Sequence, residues 1–113
     1  MKDGLYHRDL GLPVTLGFAT MLRYSPHAIE EASSDKYGNL DLPKSIGTHE
    51  AEVIEVEVRN GKPYKALLRK PYDDRRDICL VVLLDRGIVK TVWCNLRSDK
   101  HRTLDTSKYM MSA

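Results

Sequence analysis

No stretch of this sequence stays apolar for the ~20 residues that a membrane-spanning helix needs. The first ten residues, Met1-Lys2-Asp3-Gly4-Leu5-Tyr6-His7-Arg8-Asp9-Leu10, hold no apolar run of the kind a secretory leader carries, so a cytoplasmic address with no membrane partner is expected. Cysteine is scarce. The two present, Cys79 and Cys94, fall on separate predicted strands and read as small buried hydrophobes rather than a disulfide. There is no Cys-x-x-Cys and no paired-histidine spacing, and neither a metal nor a cofactor is expected. The nucleophile-elbow Gly-x-Ser-x-Gly, the phosphate-binding glycine loop and the dinucleotide fingerprint are also missing, which removes several large enzyme classes. Internal repeats and low-complexity tracts are absent. Charge of one sign is not in excess either: 18 Lys and Arg against 16 Asp and Glu leave a formal net charge of +2, too little to diagnose a nucleic-acid binder.

What is present suits one domain spanning 1–113. A single core fills at roughly 100–150 residues, and a hydrophobic share of 42% is enough to pack one. Charge is unevenly placed. Arg69, Lys70, Arg75, Arg76, Lys90, Arg97, Lys100 and Arg102 lie in the second half, whereas Glu30, Glu31, Glu50, Glu52, Glu55 and Glu57 precede them. A cationic end built from the later group could hold phosphates on a nearly neutral molecule; ordinary solvated surface charge is the plainer explanation.

Residues 1–12 have no periodicity and read as a loose arm. Residues 14–24 alternate in the manner of a strand, weakened by Gly17. Ser25-Pro26 opens a helix, with serine as N-cap and proline at the first helical position, where its missing N–H costs nothing. Ala28, Ile29 and Ala32 form its apolar stripe, and Gly38 offers a left-handed stop. From Ala51 the pattern sets Ile54, Val56 and Val58 on one face and Glu55 and Glu57 on the other. Asn60-Gly61 is a strong hairpin signal. The return strand runs over 62–70, an apolar strand over 78–84, and a last strand over 88–93. The expected fold is α+β, an N-terminal helix on a four-stranded antiparallel meander, five-stranded if residues 14–24 join it.

The polar stretch 95–113 follows the last strand and is the expected functional segment, because polar loops at the end of a rigid sheet commonly carry sites. Cleaving RNA without a metal requires a base for the 2′-hydroxyl, an acid for the departing 5′-oxygen and cations for the charged phosphorane. His101 and His27 are candidates for the acid and base, since histidine titrates near neutrality. Thr103 and Tyr109 could add hydroxyl donors. Arg69, Lys70, Lys90 and Arg102 are candidates for the RNA phosphates. Each has a plain structural alternative: a helix-end residue for His27, a loop residue for His101, a turn residue for Thr103. Trp93 reads as core, or as a stacking surface for a base.

Two segments carry a resemblance. One is Leu22-Arg23-Tyr24-Ser25-Pro26-His27-Ala28-Ile29-Glu30-Glu31-Ala32 with Asp35-Lys36-Tyr37-Gly38. The other is Val89-Lys90-Thr91-Val92-Trp93-Cys94-Asn95 with Asp99-Lys100-His101-Arg102-Thr103-Leu104-Asp105. Both resemble small phage proteins whose architecture is similar to the barnase–EndoU–colicin–RelE superfamily of ribonucleases and toxins. That resemblance implies a RelE- or barnase-like sheet and metal-free cleavage of tRNA or mRNA on its open face. It points to His101, Thr103, Tyr109, His27 and Arg69 or Lys70, and to action in the host cytoplasm. An antitoxin, immunity or host protein is the implied protein partner. The alternative function is a non-enzymatic phage protein that binds a host protein or nucleic acid. The acidic run from Glu52 to Glu57 departs from the basic make-up of many such toxins.

Overall fold

The computed structural model describes residues 2–10, 21–35, 40–42 and 45–98. Among these described residues seven strands and one helix follow in the order β1 (Gly4–His7), β2 (Met21–Tyr24), α1 (Pro26–Ser33), β3 (Ile46–Gly47), β4 (Glu52–Arg59), β5 (Lys62–Pro71), β6 (Arg76–Leu83) and β7 (Ile88–Leu96). Short 3-10 turns cover Arg8–Leu10 and Thr48–Glu50. The strands form one sheet in the order β1-β4-β5-β6-β7-β2-β3, curled into a half-barrel. Every pairing is antiparallel except β2 with β7, where Arg23 faces Ile88 and Tyr24 faces Val89.

This corrects the expected four- or five-stranded antiparallel meander. Strands β4 to β7 do run as consecutive hairpins, but the sheet is extended at both sides and is mixed. Residues 4–7 are not a loose arm: they pair with β4 from Gly4↔Val58 to His7↔Glu55, and Tyr6 and His7 are buried. Four residues are too few for an alternation to be visible in sequence.

Local chemistry explains the elements. Ser25 Oγ accepts from Ala28 N at 3.1 Å and donates to the Lys90 carbonyl at 3.2 Å, so one hydroxyl caps α1 and pins it to β7. Ala28 and Ala32, one turn apart, are fully buried, whereas Ile29 is 56% exposed and drops out of the expected stripe. The helix stops at Ser33; the expected stop at Gly38 lies outside the described residues. Asn60 and Gly61 take φ of 53° and 74°, the pair of positive values that a two-residue hairpin of matching twist demands.

Beyond its two-residue pairing with β2, the outer edge of β7 is covered by side chains of the helical segment. Glu31 Oε1 accepts from Val92 N at 3.3 Å and Asp35 Oδ2 from Cys94 N at 2.8 Å. The core lies between α1 and one face of the sheet, with Leu22, Val56, Val58, Leu68, Leu80, Val82, Val89 and Val92 at 0–1% exposure. A register shift between Val53 and Glu55 breaks the alternation in β4. Ile54 therefore leaves the company of Val56 and Val58 and lines the opposite face.

Candidate functional site

The face of the sheet turned away from the core carries a row of side chains across its three central strands. Arg69 on β5 faces Cys79 on β6, which faces Trp93 on β7; in the next row Pro71 faces Asp77, which faces Asn95. Alternation along each strand puts both rows on the face opposite Leu68, Leu80 and Val92. Together with the β1 end, these rows border a cavity of about 600 Å³.

A charged network is fixed at one end of it. Arg69 Nε donates to Asp77 Oδ2 at 2.8 Å and Arg97 Nε donates to Asp77 Oδ1 at 2.9 Å. Arg97 also donates to the carbonyls of Asp73 and Asp74, at 2.5 and 3.1 Å, so its guanidinium is tied to the β5–β6 turn. Asp73 in turn organises that turn, accepting from the backbone N–H groups of Arg75 and Arg76 at 3.0 and 2.8 Å. Burial pushes the Asp77 carboxyl up, but the hydrogen bonds from Arg69 and Arg97 outweigh it and hold the group below its ordinary value. It is a carboxylate that positions two cations.

The rest of the cavity mixes neutral and charged groups. Burial pushes the Cys79 thiol up to about 11, so it is a thiol at neutral pH and a poor nucleophile; Asn95 Nδ2 donates to its sulfur at 3.5 Å. His7 is 4% exposed and its Nδ1 accepts from Asp9 N at 3.1 Å. That acceptor role leaves the neutral ring's proton on Nε2. At the rim Arg8 NH1 pairs with Glu52 Oε1 at 2.6 Å. The Gly47 N–H, donating to Glu50, holds that carboxyl below its ordinary value, with Lys70 nearby adding to the effect. Four cations (Arg8, Arg69, Lys70, Arg97) and four acids (Asp9, Glu50, Glu52, Asp77) border the cavity. Among the described residues no group of three or more His, Cys, Asp and Glu could hold a metal ion, and no helix is long and apolar enough to cross a membrane.

No family model, no curated protein and no solved structure matches the chain. The site is therefore read from its own chemistry.

Of the residues singled out in the sequence, Arg69 and Lys70 both border the cavity. His27 does not. It stands on the first turn of α1 at the outer edge of β7, 67% exposed, with Nε2 3.3 Å from Glu31 Oε1. Lys90 is exposed near the start of β7, beside Ser25, while the Asp77 network sits at that strand's far end. His27 and Lys90 thus share a neighbourhood with each other and not with Arg69. His101, Thr103, Tyr109 and Arg102 lie outside the described residues.

Sequence reasoning passed over His7 and Asp77, and named Arg97 only among the cations of the second half. Asp77 had a signal, a single acid at the head of an otherwise apolar strand, which calls for a buried cationic partner. His7 had none, because nothing in residues 1–12 marks a strand.

Proposed function

We propose that the chain is a cytoplasmic, toxin-like endoribonuclease that cleaves RNA without a metal, and that the cavity on its open face is where the RNA phosphate sits. The observation that carries this reading is the Arg69–Asp77–Arg97 network: two guanidiniums held at 2.8 and 2.9 Å on one carboxylate, beside an imidazole and an indole. Cations fixed in advance cost no reorganisation when a pentacovalent phosphorane develops negative charge. A histidine base takes the proton of the 2′-hydroxyl, the oxygen attacks phosphorus, and a histidine acid protonates the departing 5′-oxygen, leaving a 2′,3′-cyclic end.

His7 is the imidazole that the cavity itself holds. His101, with Thr103, Tyr109 and Arg102, is the candidate set of the C-terminal segment. Arg97 precedes His101 by four residues, and four residues of extended chain span at most about 14 Å. His27, paired with Glu31 away from the cavity, is left with a helix-end role. tRNA or mRNA is the expected substrate, and an antitoxin or immunity protein the expected regulator of such an activity.

One feature favours the second reading, a non-enzymatic phage protein that binds a host protein or nucleic acid: acids equal cations around the cavity, whereas a nuclease gains from a cationic excess. The two readings separate in one assay. The protein, purified with EDTA, is incubated with labelled tRNA and total RNA. Cleavage that persists in the chelator and yields 2′,3′-cyclic ends is expected. It should fall by about 10²–10⁴-fold in His101→Ala and in His7→Asn, the latter keeping an acceptor for Asp9 N. His27→Ala should cleave as the parent does. Intact RNA after prolonged incubation with a folded protein rejects the nuclease and leaves the binding protein.

A further inference from the structure

His7 and Asp9 meet twice at the border of the cavity. The Asp9 N–H donates to His7 Nδ1 at 3.1 Å, and Asp9 Oδ2 lies 3.9 Å from that same nitrogen. One residue thus offers the ring both a donor and an acceptor. The other carboxylate oxygen, Oδ1, is 3.6 Å from Arg8 Nε, and Arg8 NH1 in turn pairs with Glu52. The imidazole is placed by the sheet. His7 faces Glu55 across the β1–β4 pairing, and Glu55 faces Leu67 on β5. That register puts the ring on the open face, in the row beside Arg69, Cys79 and Trp93. The charged groups around it are Arg8 and Asp9 from the 3-10 turn and Glu52 and Glu55 from β4, with Glu57 further along and tied to Arg59. Arg69, Lys70 and Glu50 border the same cavity.

A ring nitrogen that accepts an N–H carries no proton of its own, so the neutral His7 ring has its proton on Nε2. Such a ring cannot take a second proton through Nε2. It gains one only at Nδ1, where a new N–H would stand donor against donor with the Asp9 amide. We propose that Asp9 is a positioning residue for His7 in both charge states of the ring. Its backbone N–H holds the neutral form, and its carboxylate receives the imidazolium after a small shift of the turn. The catalytic consequence rests on the ribonuclease reading and assigns a role within it: His7 is the acid and not the base. The Nε2–H bond of the imidazolium breaks and the proton passes to the departing 5′-oxygen. The ring is left neutral with its remaining proton on Nδ1, against Asp9 Oδ2. The proton of the 2′-hydroxyl goes to another group, and water returns one to Nε2 before the next turnover. The Asp9 side chain is 64% exposed, so its pull on the ring is screened and modest. What it fixes is which nitrogen presents a hydrogen to the substrate.

Nitrogen-15 spectra of the full chain, recorded without RNA, test the pairing. In the neutral ring Nδ1 of His7 should have the shift of a bare, pyridine-type nitrogen and Nε2 that of a protonated, pyrrole-type one. As pH is lowered through the titration of the ring, the Asp9 amide resonance should move with the same midpoint, because protonation at Nδ1 breaks its bond. Asp9→Asn keeps the backbone N–H and removes the anion. The neutral tautomer should persist in that variant, while the proton affinity of the ring falls by about two- to fivefold. A neutral His7 with its proton on Nδ1 overturns the proposal. So does an Asp9 amide indifferent to the titration, or an unchanged affinity in a folded Asp9→Asn protein. The first two results need only the parent chain. In the cleavage assay, the limb of the kcat profile that falls as pH rises belongs to the acid, and Asp9→Asn should move it to lower pH. The spectra and the assay fail separately. The expected spectra from a protein that leaves RNA intact keep the His7–Asp9 pairing and remove the nuclease. Cleavage by a protein whose neutral His7 is protonated on Nδ1 removes the pairing alone.

Discussion

Two guanidiniums converge on Asp77, and the two arms differ in what they contribute. The Arg69 side chain is 15% exposed, so its charge would be left poorly solvated if the carboxylate were removed. Arg97 is 45% exposed, and water screens that arm. Asp77→Asn should therefore cost about 3 kcal/mol, nearly all through Arg69, and lower the midpoint of thermal unfolding by roughly 10 °C. The pH dependence has a definite sign. The folded state holds the Asp77 carboxyl below its ordinary value, and the Asp73 carboxyl at about 2, through hydrogen bonds first from the Arg76 side chain and then from the Arg75 backbone. A folded protein with such groups binds fewer protons than the unfolded chain. The stabilisation they give is complete above about pH 4, the unfolded value, and fades as pH falls towards 2. Denaturation of the parent should become easier across that window, and the Asp77→Asn curve should be flatter there. Parallel curves for parent and variant would mean that the carboxylate is not held as described.

Ser25 shows how far an element can be read from residues, and where reading stops. The start of α1 was legible because capping is a local matter: a serine followed by a proline is all the information that the first turn needs. The second bond of the same hydroxyl, to Lys90 O, spans 65 residues and has no local signature. The parallel pairing of β2 with β7 was hidden for the same reason, as was the side-chain cover of the β7 edge by Glu31 and Asp35. Ile54 is a different kind of miss. Its alternation with Val56 and Val58 is plain in sequence, but one extra residue in β4 turns it to the other face. At the candidate site, Arg69 and Lys70 were legible as cations on a hairpin, whereas His7 waited on a strand too short to announce itself. The two bonds of Ser25 can be separated experimentally. Ser25→Ala should lose about 1 kcal/mol or more, because it removes both the cap and the tie to β7. Ser25→Asp keeps a good cap but cannot donate to the Lys90 carbonyl. It should recover only part of the loss in urea melts, and full recovery would show that the tie to β7 contributes nothing.

At the scale of the whole molecule the sheet separates two tasks. One face is sealed by α1 and by the aliphatic core; the other is open and carries the charged network and the indole. A net charge of only +2 gives the molecule little long-range attraction for RNA. On the RNA reading of the cavity, binding then rests on the few cations placed there. For single strands each neutralised phosphate contributes about −0.7 to the slope of log affinity against log salt. One to two contacts, from Arg69 and Arg97, set that slope near roughly −1. Arg97→Gln should bring it closer to zero by about 0.7. Measuring parent and variant between about 50 and 200 mM salt distinguishes contacts in the cavity from diffuse attraction. A parent slope of about −5 or steeper, insensitive to Arg97→Gln, would place the RNA on some other surface of the protein.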